Sequence, residues 1–441
     1  MTFSRNSART ALVRRLASPL ALATVASLGI VGVHAPAAAQ KQAKPAKPAK
    51  ANYSKEFVAA YKPIETQAAA AGADFNALKA SVPGLVAAVK TEDDKMAAGR
   101  MILQIGQKTS DYSLSLQGAD LMLASGRADA ALTGQLNFAA AQMAYNLKDY
   151  VRARTYVQSA IDAGYSENDP QLLLAESYWA DKKYSEGLKY LADTIAARKA
   201  AGQPVSEAWV KRALATAYSN QLNDEARRWG LMYARDFPSA SSWGDAIAIA
   251  INTGDYAPPE MLDLLRLARR TNTIRTKGMY LEYIDAADAR KLPNEVIQVL
   301  DAGTAAKLVD PSVQVVKEAR ASATARLAAD KTELPSLQRD ASAAGAKLVT
   351  VQAAADTLLS YGKWADAETL YTKALGLPGA NTALLLTRLG IAQIEQGKYA
   401  DAQTTLAKVT GVRQPIAALW ALYAAQKAVP SPVPAPGAPT T

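Results

Sequence analysis

The chain has 441 residues, of which 49% are hydrophobic, 7% aromatic and 20% charged, with a formal net charge of +10. It contains no cysteine and one histidine, His34. Structural disulfides and thiol nucleophiles are therefore excluded. If the leader around His34 is removed, Ser-His-Asp and Cys-His mechanisms and the usual zinc sites go with it. Alanine dominates the apolar residues, and alternation of the strand type is scarce, so the expected class is all-α.

Residues 1–39 read as a secretory signal peptide. Arg5, Arg9, Arg14 and Arg15 precede an apolar run from Leu16 to Val33, and Ala37, Ala38 and Ala39 supply small residues for cleavage before Gln40. A retained membrane anchor is the competing reading, although Ser18, Pro19 and Ser27 interrupt the run. No later segment approaches the roughly 20 apolar residues that span a bilayer. Residues 40–52, which include QKQAKPAKPAKA, form a Lys/Pro/Ala linker that stays extended. It reads as a solubilising tether or as a segment resting on an anionic envelope polymer. Removing the leader takes the charge from +10 to +6, and Lys41, Lys44, Lys47 and Lys50 account for four more. The basic balance thus belongs to the leader and linker and gives no support to nucleic-acid binding.

Helical periodicity begins at Tyr53. Residues 53–131 are expected to hold four helices, Tyr53 to Ala71, Phe75 to Lys90 with a kink at Pro83, Asp93 to Lys108 and Asp111 to Ser125. They serve as an N-terminal cap or as divergent hairpins. Residues 132–239 contain three hairpins. Their turn signals are Lys148, Tyr150 and Ala153, then Lys182, Tyr184 and Gly187, then Ala226. Residues 240–347 continue as divergent hairpins, with Asp310-Pro311 opening a helix to about Asp330 and Glu333 to Gly345 expected as a separate helix. Residues 348–428 carry the clearest pattern: GKWADAETLYTKAL begins at Gly362 and GKYADAQTTLAKVT begins 35 residues later, at Gly397. A terminal capping helix follows from Pro415, and residues 429–441 are a disordered Pro/Ala-rich tail.

A period in this range marks a stacked helical array. Leu389, Gly390, Gly397, Tyr399, Ala402, Leu406 and Pro415 resemble the tetratricopeptide repeat family in type and spacing, as do Ala355, Gly362, Trp364, Ala367, Tyr371, Ala374 and Pro378. The resemblance is specific over 348–413, moderate over 132–235 and weak between 240 and 345. It implies an α-solenoid of antiparallel hairpins whose first helices line a concave groove, where members of that family bind extended peptides.

Two sets of residues are candidates for binding. Tyr145, Trp179 and Tyr218 occupy one place in three successive units, with Phe138, Gln142, Glu176 and Lys211 expected on the same face. They form either an aromatic ladder for a peptide or sugar, or packing between helices. Arg266, Arg269, Arg270, Arg275 and Lys277 form a basic stretch, read as a solvated face or as a seat for an anionic partner. Glu176-Ser177 and Gly230-Leu231-Met232 resemble fragments of the lytic transglycosylase motif, but the spacing is wrong, and neither a catalytic residue nor a cofactor or metal is assigned. The expected function is an exported scaffold or adaptor, periplasmic in a Gram-negative cell, holding a protein or peptide of the envelope. The alternative is an envelope glycan-binding module or a carboxylate-based glycan-cleaving enzyme.

Overall fold

A computed structural model of the chain describes residues 51–429. The expected signal peptide, most of the linker and the Pro/Ala-rich tail lie outside the described residues. Within them the secondary structure is helical, and successive helices pack as antiparallel pairs. No described helix is long and apolar enough to cross a membrane. The described chain divides into two compact units, residues 51–209 and residues 210–429.

The N-terminal unit begins with α1 (Lys55–Ala68), α2 (Phe75–Leu78) and α3 (Val82–Ala87). The single helix expected over Phe75 to Lys90 is broken by a 3-10 turn at Lys79–Ser81, and Pro83 sits in the first turn of α3, where its missing N–H costs nothing. Next come α4 (Glu92–Lys108), α5 (Tyr112–Ala124), α6 (Ala130–Asn146), α7 (Tyr150–Asp162), α8 (Pro170–Ala180) and α9 (Tyr184–Ala200). Asp94 fixes the start of α4: its buried carboxylate accepts from the Ser54 and Thr91 amides and from Ser54 Oγ, with Thr91 capping in return. The α4–α5 pair is in backbone contact, because a Cβ at Gly118 would lie 2.4 Å from Leu103 N and one at Gly99 2.6 Å from Gly118 O.

The degraded repeats keep the turn geometry of the clear ones. Gly362 and Gly397 close their turns at φ of 73° and 76°, and Lys148 and Lys182 take the equivalent place at 62° and 58°. Packing of the flanking helices holds these lysines in a left-handed conformation that a side chain disfavours.

The C-terminal unit contains most of α10 (Glu207–Ser219), then α11 (Asn223–Asp236), α12 (Ala240–Thr253), α13 (Pro258–Arg270), α14 (Lys277–Ala287) and α15 (Pro293–Ala305). One long helix follows, α16 (Gln314–Ser342), which corrects the expected break near Asp330. Nothing between Asp330 and Glu333 supplies a residue at positive φ, and Pro335 is accommodated inside the helix. The unit ends with α17 (Leu348–Ser360), α18 (Trp364–Leu375), α19 (Thr382–Glu395), α20 (Tyr399–Leu406) and α21 (Gln414–Ala428). Ala402 is fully buried, and a Cβ at Gly390 would lie 2.5 Å from Leu406 Cγ, so α19 and α20 cross at the small residues. The last helix turns back onto the first ones of the unit: α21 packs against α11, α12 and α13, and Gln426 bridges Trp243 Nε1 at 3.1 Å and Ala234 O at 2.8 Å.

Two stability changes are expected. Ala402→Leu overpacks the α19–α20 crossing and costs about 1–3 kcal/mol. Lys182→Gly relieves the left-handed strain and raises stability by about 1 kcal/mol. Denaturant midpoints check both.

Candidate functional site

Of the residues proposed as a ladder, Phe138, Glu176, Trp179 and Tyr218 are 5%, 5%, 7% and 1% exposed. The Trp179 indole lies over Gly187, where a Cβ would meet Nε1 at 2.4 Å, and Phe138 packs on Tyr165 with ring centroids 4.9 Å apart. These side chains fill the spaces between helices, which favours the packing alternative over the ladder. Tyr145 is half-buried with its ring edge-on to Tyr150 at 5.4 Å, and Gln142 and Lys211 are partly exposed.

The basic stretch also separates. Arg275 lies along α12, donating to Asp245 Oδ1 at 2.9 Å and to the Ser241 carbonyl at 3.0 Å, while Lys277 is exposed. Arg266, Arg269 and Arg270, by contrast, line a cavity of about 410 Å³ inside the C-terminal unit. Leu264, Leu265, Leu267 and Ala268 anchor α13 in the core, and this sets the direction of its arginines. The remaining wall comes from Tyr283 on α14, Glu295 and Gln298 on α15, Tyr361 and Trp364 around the α17–α18 turn, Glu395 at the end of α19 and Trp420 on α21. One side is pinned where Asn294 Nδ2 donates to Ser360 O at 2.7 Å.

Beneath the cavity lies a buried ionic network centred on Asp263. Its carboxylate accepts from Arg413 Nη1 at 2.7 Å, Arg266 Nη1 at 3.0 Å and Arg388 Nε at 3.3 Å, and its carbonyl accepts from Trp420 Nε1 at 3.0 Å. Each arginine has a further carboxylate partner. Arg266 forks onto Glu295 at 2.8 and 2.6 Å, Arg388 reaches Asp356 at 2.6 Å, and Arg413 reaches Glu260 at 3.0 Å. Tyr283 and Tyr371 donate to Glu295 and Asp356 at 2.8 and 2.6 Å. Burial alone would push the Asp263 and Glu295 carboxyls up. The guanidinium groups of Arg388, Arg266 and Arg413 around Asp263, and of Arg266 beside Glu295, more than offset it and hold both below their ordinary values. Burial raises the Tyr283 and Tyr371 hydroxyls well above theirs, and the adjoining carboxylates add to the shift. Both tyrosines therefore stay protonated as donors.

At the rim the arginines are occupied differently. Arg270 pairs with Glu395, whereas Arg269 donates to the neutral amide oxygen of Gln298 at 2.9 Å. Burial keeps the Glu395 carboxyl above its ordinary value despite Arg270. The cavity thus has a neutralised floor, a cationic rim, and aromatic surface at Tyr361 and Trp364.

Asp263→Ala leaves three buried guanidiniums short of a partner, and a loss of about 3–5 kcal/mol is expected by chemical denaturation. Because the Asp263 and Glu295 pKa values are lowered on folding, their contribution is complete above the unfolded values near about 4 and disappears as pH falls through the folded ones. Acid titration followed by circular dichroism should show stability falling below about pH 4, with a shallower loss in Asp263→Asn.

One family model bears on this architecture. The tetratricopeptide repeat family model matches residues 358–425. Among solved structures, the APC/C hetero-tetramer Cut9–Hcn1 aligns at 12% identity over 73% of this chain and 66% of that one, with a TM-score of 0.24. A Rap protein complexed with Competence and Sporulation Factor aligns at 11% identity over 82% of this chain and 98% of that one, with a TM-score of 0.22. No curated protein matches the sequence. Residues 358–425 thus carry the tetratricopeptide repeat pattern, within a described chain whose helices pack in successive pairs.

Proposed function

We propose that the chain is an exported scaffold that holds a segment of a protein partner in the cavity of its C-terminal unit. Helical repeats of this kind typically serve protein–protein interaction. The observation that carries the reading is the 410 Å³ cavity, where guanidinium, carboxylate, amide and aromatic groups from six helices and the α17–α18 turn converge on one space. A volume of this size accepts a few residues of an extended chain and falls in the range of ligand sites. The partner is read as a protein or peptide of the cell envelope, and the action as binding without catalysis.

The leader composition at Arg5 to Ala39 supports export, and in a cell with two membranes the compartment would be the periplasm. The Lys/Pro/Ala linker fits a tether between that leader and the folded chain.

The test is affinity capture from envelope extracts with the mature chain, combined with crosslinking, for the parent protein and for Trp364→Ala. A stoichiometric protein retained by the parent and reduced at least about tenfold with the variant is expected, in line with loss of an aromatic anchor. Retention that is indifferent to Trp364, or retention of peptidoglycan in place of a protein, overturns the reading.

A further inference from the structure

The C-terminal unit holds two hydrophobic cores, and the cavity lies between them. One core packs α14 and α15 against Leu262 and Leu265 of α13 and Val316 and Ala323 of α16. The other packs α12 and α17 to α21 against Leu264 and Leu267 of α13 and Leu334 and Ala341 of α16. Both α13 and α16 therefore belong to both cores. The cavity walls divide in the same way, with Tyr283, Glu295 and Gln298 on one side and Tyr361, Trp364 and Trp420 on the other.

The two shared helices are held very differently. Asp263 ties α13 to Arg388 of α19 and to Arg413 at the start of α21. Between Ala323 and Leu334, by contrast, α16 gives neither core a buried apolar residue. The buried side chain in that stretch is Asp330. Its Oδ1 is 3.9 Å from Arg326, a residue of the same helix, and its Oδ2 and the nearby Tyr361 hydroxyl are both buried outside hydrogen-bond geometry. Pro335 follows directly, inside α16 and exposed. It has no N–H to offer the Lys331 carbonyl, and its ring crowds that carbonyl. The breach in the helix's own bonding thus falls where α16 passes from one core to the other, and a helix bends at such a point.

On one side of the cavity the walls are joined by Asn294 of α15, which donates to the Ser360 carbonyl of α17 at 2.7 Å. Both residues are partly exposed, and a neutral bond between them is one that water replaces at small cost.

We propose that α16 is a hinge at Lys331–Pro335, on which the α14–α15 wall swings away from the α17–α18 wall, with the Asn294–Ser360 contact as its latch. The Asp263 network serves as the pivot. The cavity then admits or releases a chain by the parting of its walls, without unfolding a repeat. The motion does not depend on what enters. Its role as a gate rests on the reading of the cavity as a binding site.

Because the chain has no cysteine, introduced pairs can carry spin labels without background. Ala305→Cys with Ala365→Cys places exposed labels on opposite walls, and Ala365→Cys with Thr404→Cys keeps both within one core. Double electron–electron resonance on the full chain should give a narrow distance for the second pair and a closed and a longer, open population for the first. Asn294→Ala should favour the open population by roughly threefold to tenfold, the effect of losing one neutral hydrogen bond. Pro335→Ala restores the missing donor at an exposed position and should leave only the closed distance.

A cross-wall distribution as narrow as that of the second pair, in both the parent and Asn294→Ala, overturns the hinge. So does an open population that Pro335→Ala leaves unchanged. Capture of a partner that is indifferent to Trp364 would remove the gate's role while the measured motion still stood.

Discussion

The C-terminal unit depends on one buried carboxylate. A stack of hairpins joins each unit only to its neighbours, so its two ends are ordinarily independent. Asp263 changes this by drawing in Arg266 from its own helix, Arg388 from 125 residues away and Arg413 from 150 residues away, while its carbonyl takes the Trp420 indole N–H. Desolvating so many charges is expensive, and the cost is offset because each guanidinium meets two carboxylates. The arrangement favours one closure over its alternatives, since any slip of α19 or α21 along α13 would leave a buried guanidinium facing leucine.

That closure also creates the cavity. By bringing α13, α15, α19 and α21 together around a shared floor, it turns the end of α13 into one wall of a half-open cleft. Arg266 is consumed in the floor, whereas Arg269 and Arg270, one turn further on, reach the rim. A three-residue step along one helix therefore separates a buried ion pair from exposed guanidiniums. The same sequence feature, a run of arginines on α13, serves both ends.

Much of the fold was legible because helices and turns are written locally. The apolar period and the glycine-aromatic-alanine turns place the hairpins, and Lys148 and Lys182 mark turns where glycine is absent because their geometry is imposed by packing. The break expected near Asp330 was misread because a helix of ordinary length would end there, and only packing shows α16 running on to Ser342. The site was less legible. Spacing shows that Arg266 shares a face with Arg269 and Arg270, but it does not show that the face turns inward. A signal existed in the charged residues set inside apolar runs, Asp263 in MLDLLRLA and Arg388 in LLLTRLG, which cannot be buried without partners. The identity of those partners lies in tertiary closure. For Trp179 and Tyr218 spacing left a ladder and helix packing both open, and their burial favours packing, since a residue at the end of a lining helix can be covered by its own repeat.

The long separation within the ionic knot also bears on how the chain is made. Asp263 leaves the ribosome 150 residues ahead of Arg413, an interval of roughly 8–30 s at ordinary elongation rates. Throughout that interval α13 carries an aspartate on a face meant for burial. The early hairpins can form without the later ones, but the C-terminal unit has no finished core until its last helix is in place. A protein whose repeats look sequential thus acquires a late, all-or-none step, and the segment from Arg413 to Ala428 decides when the unit becomes a single folded body.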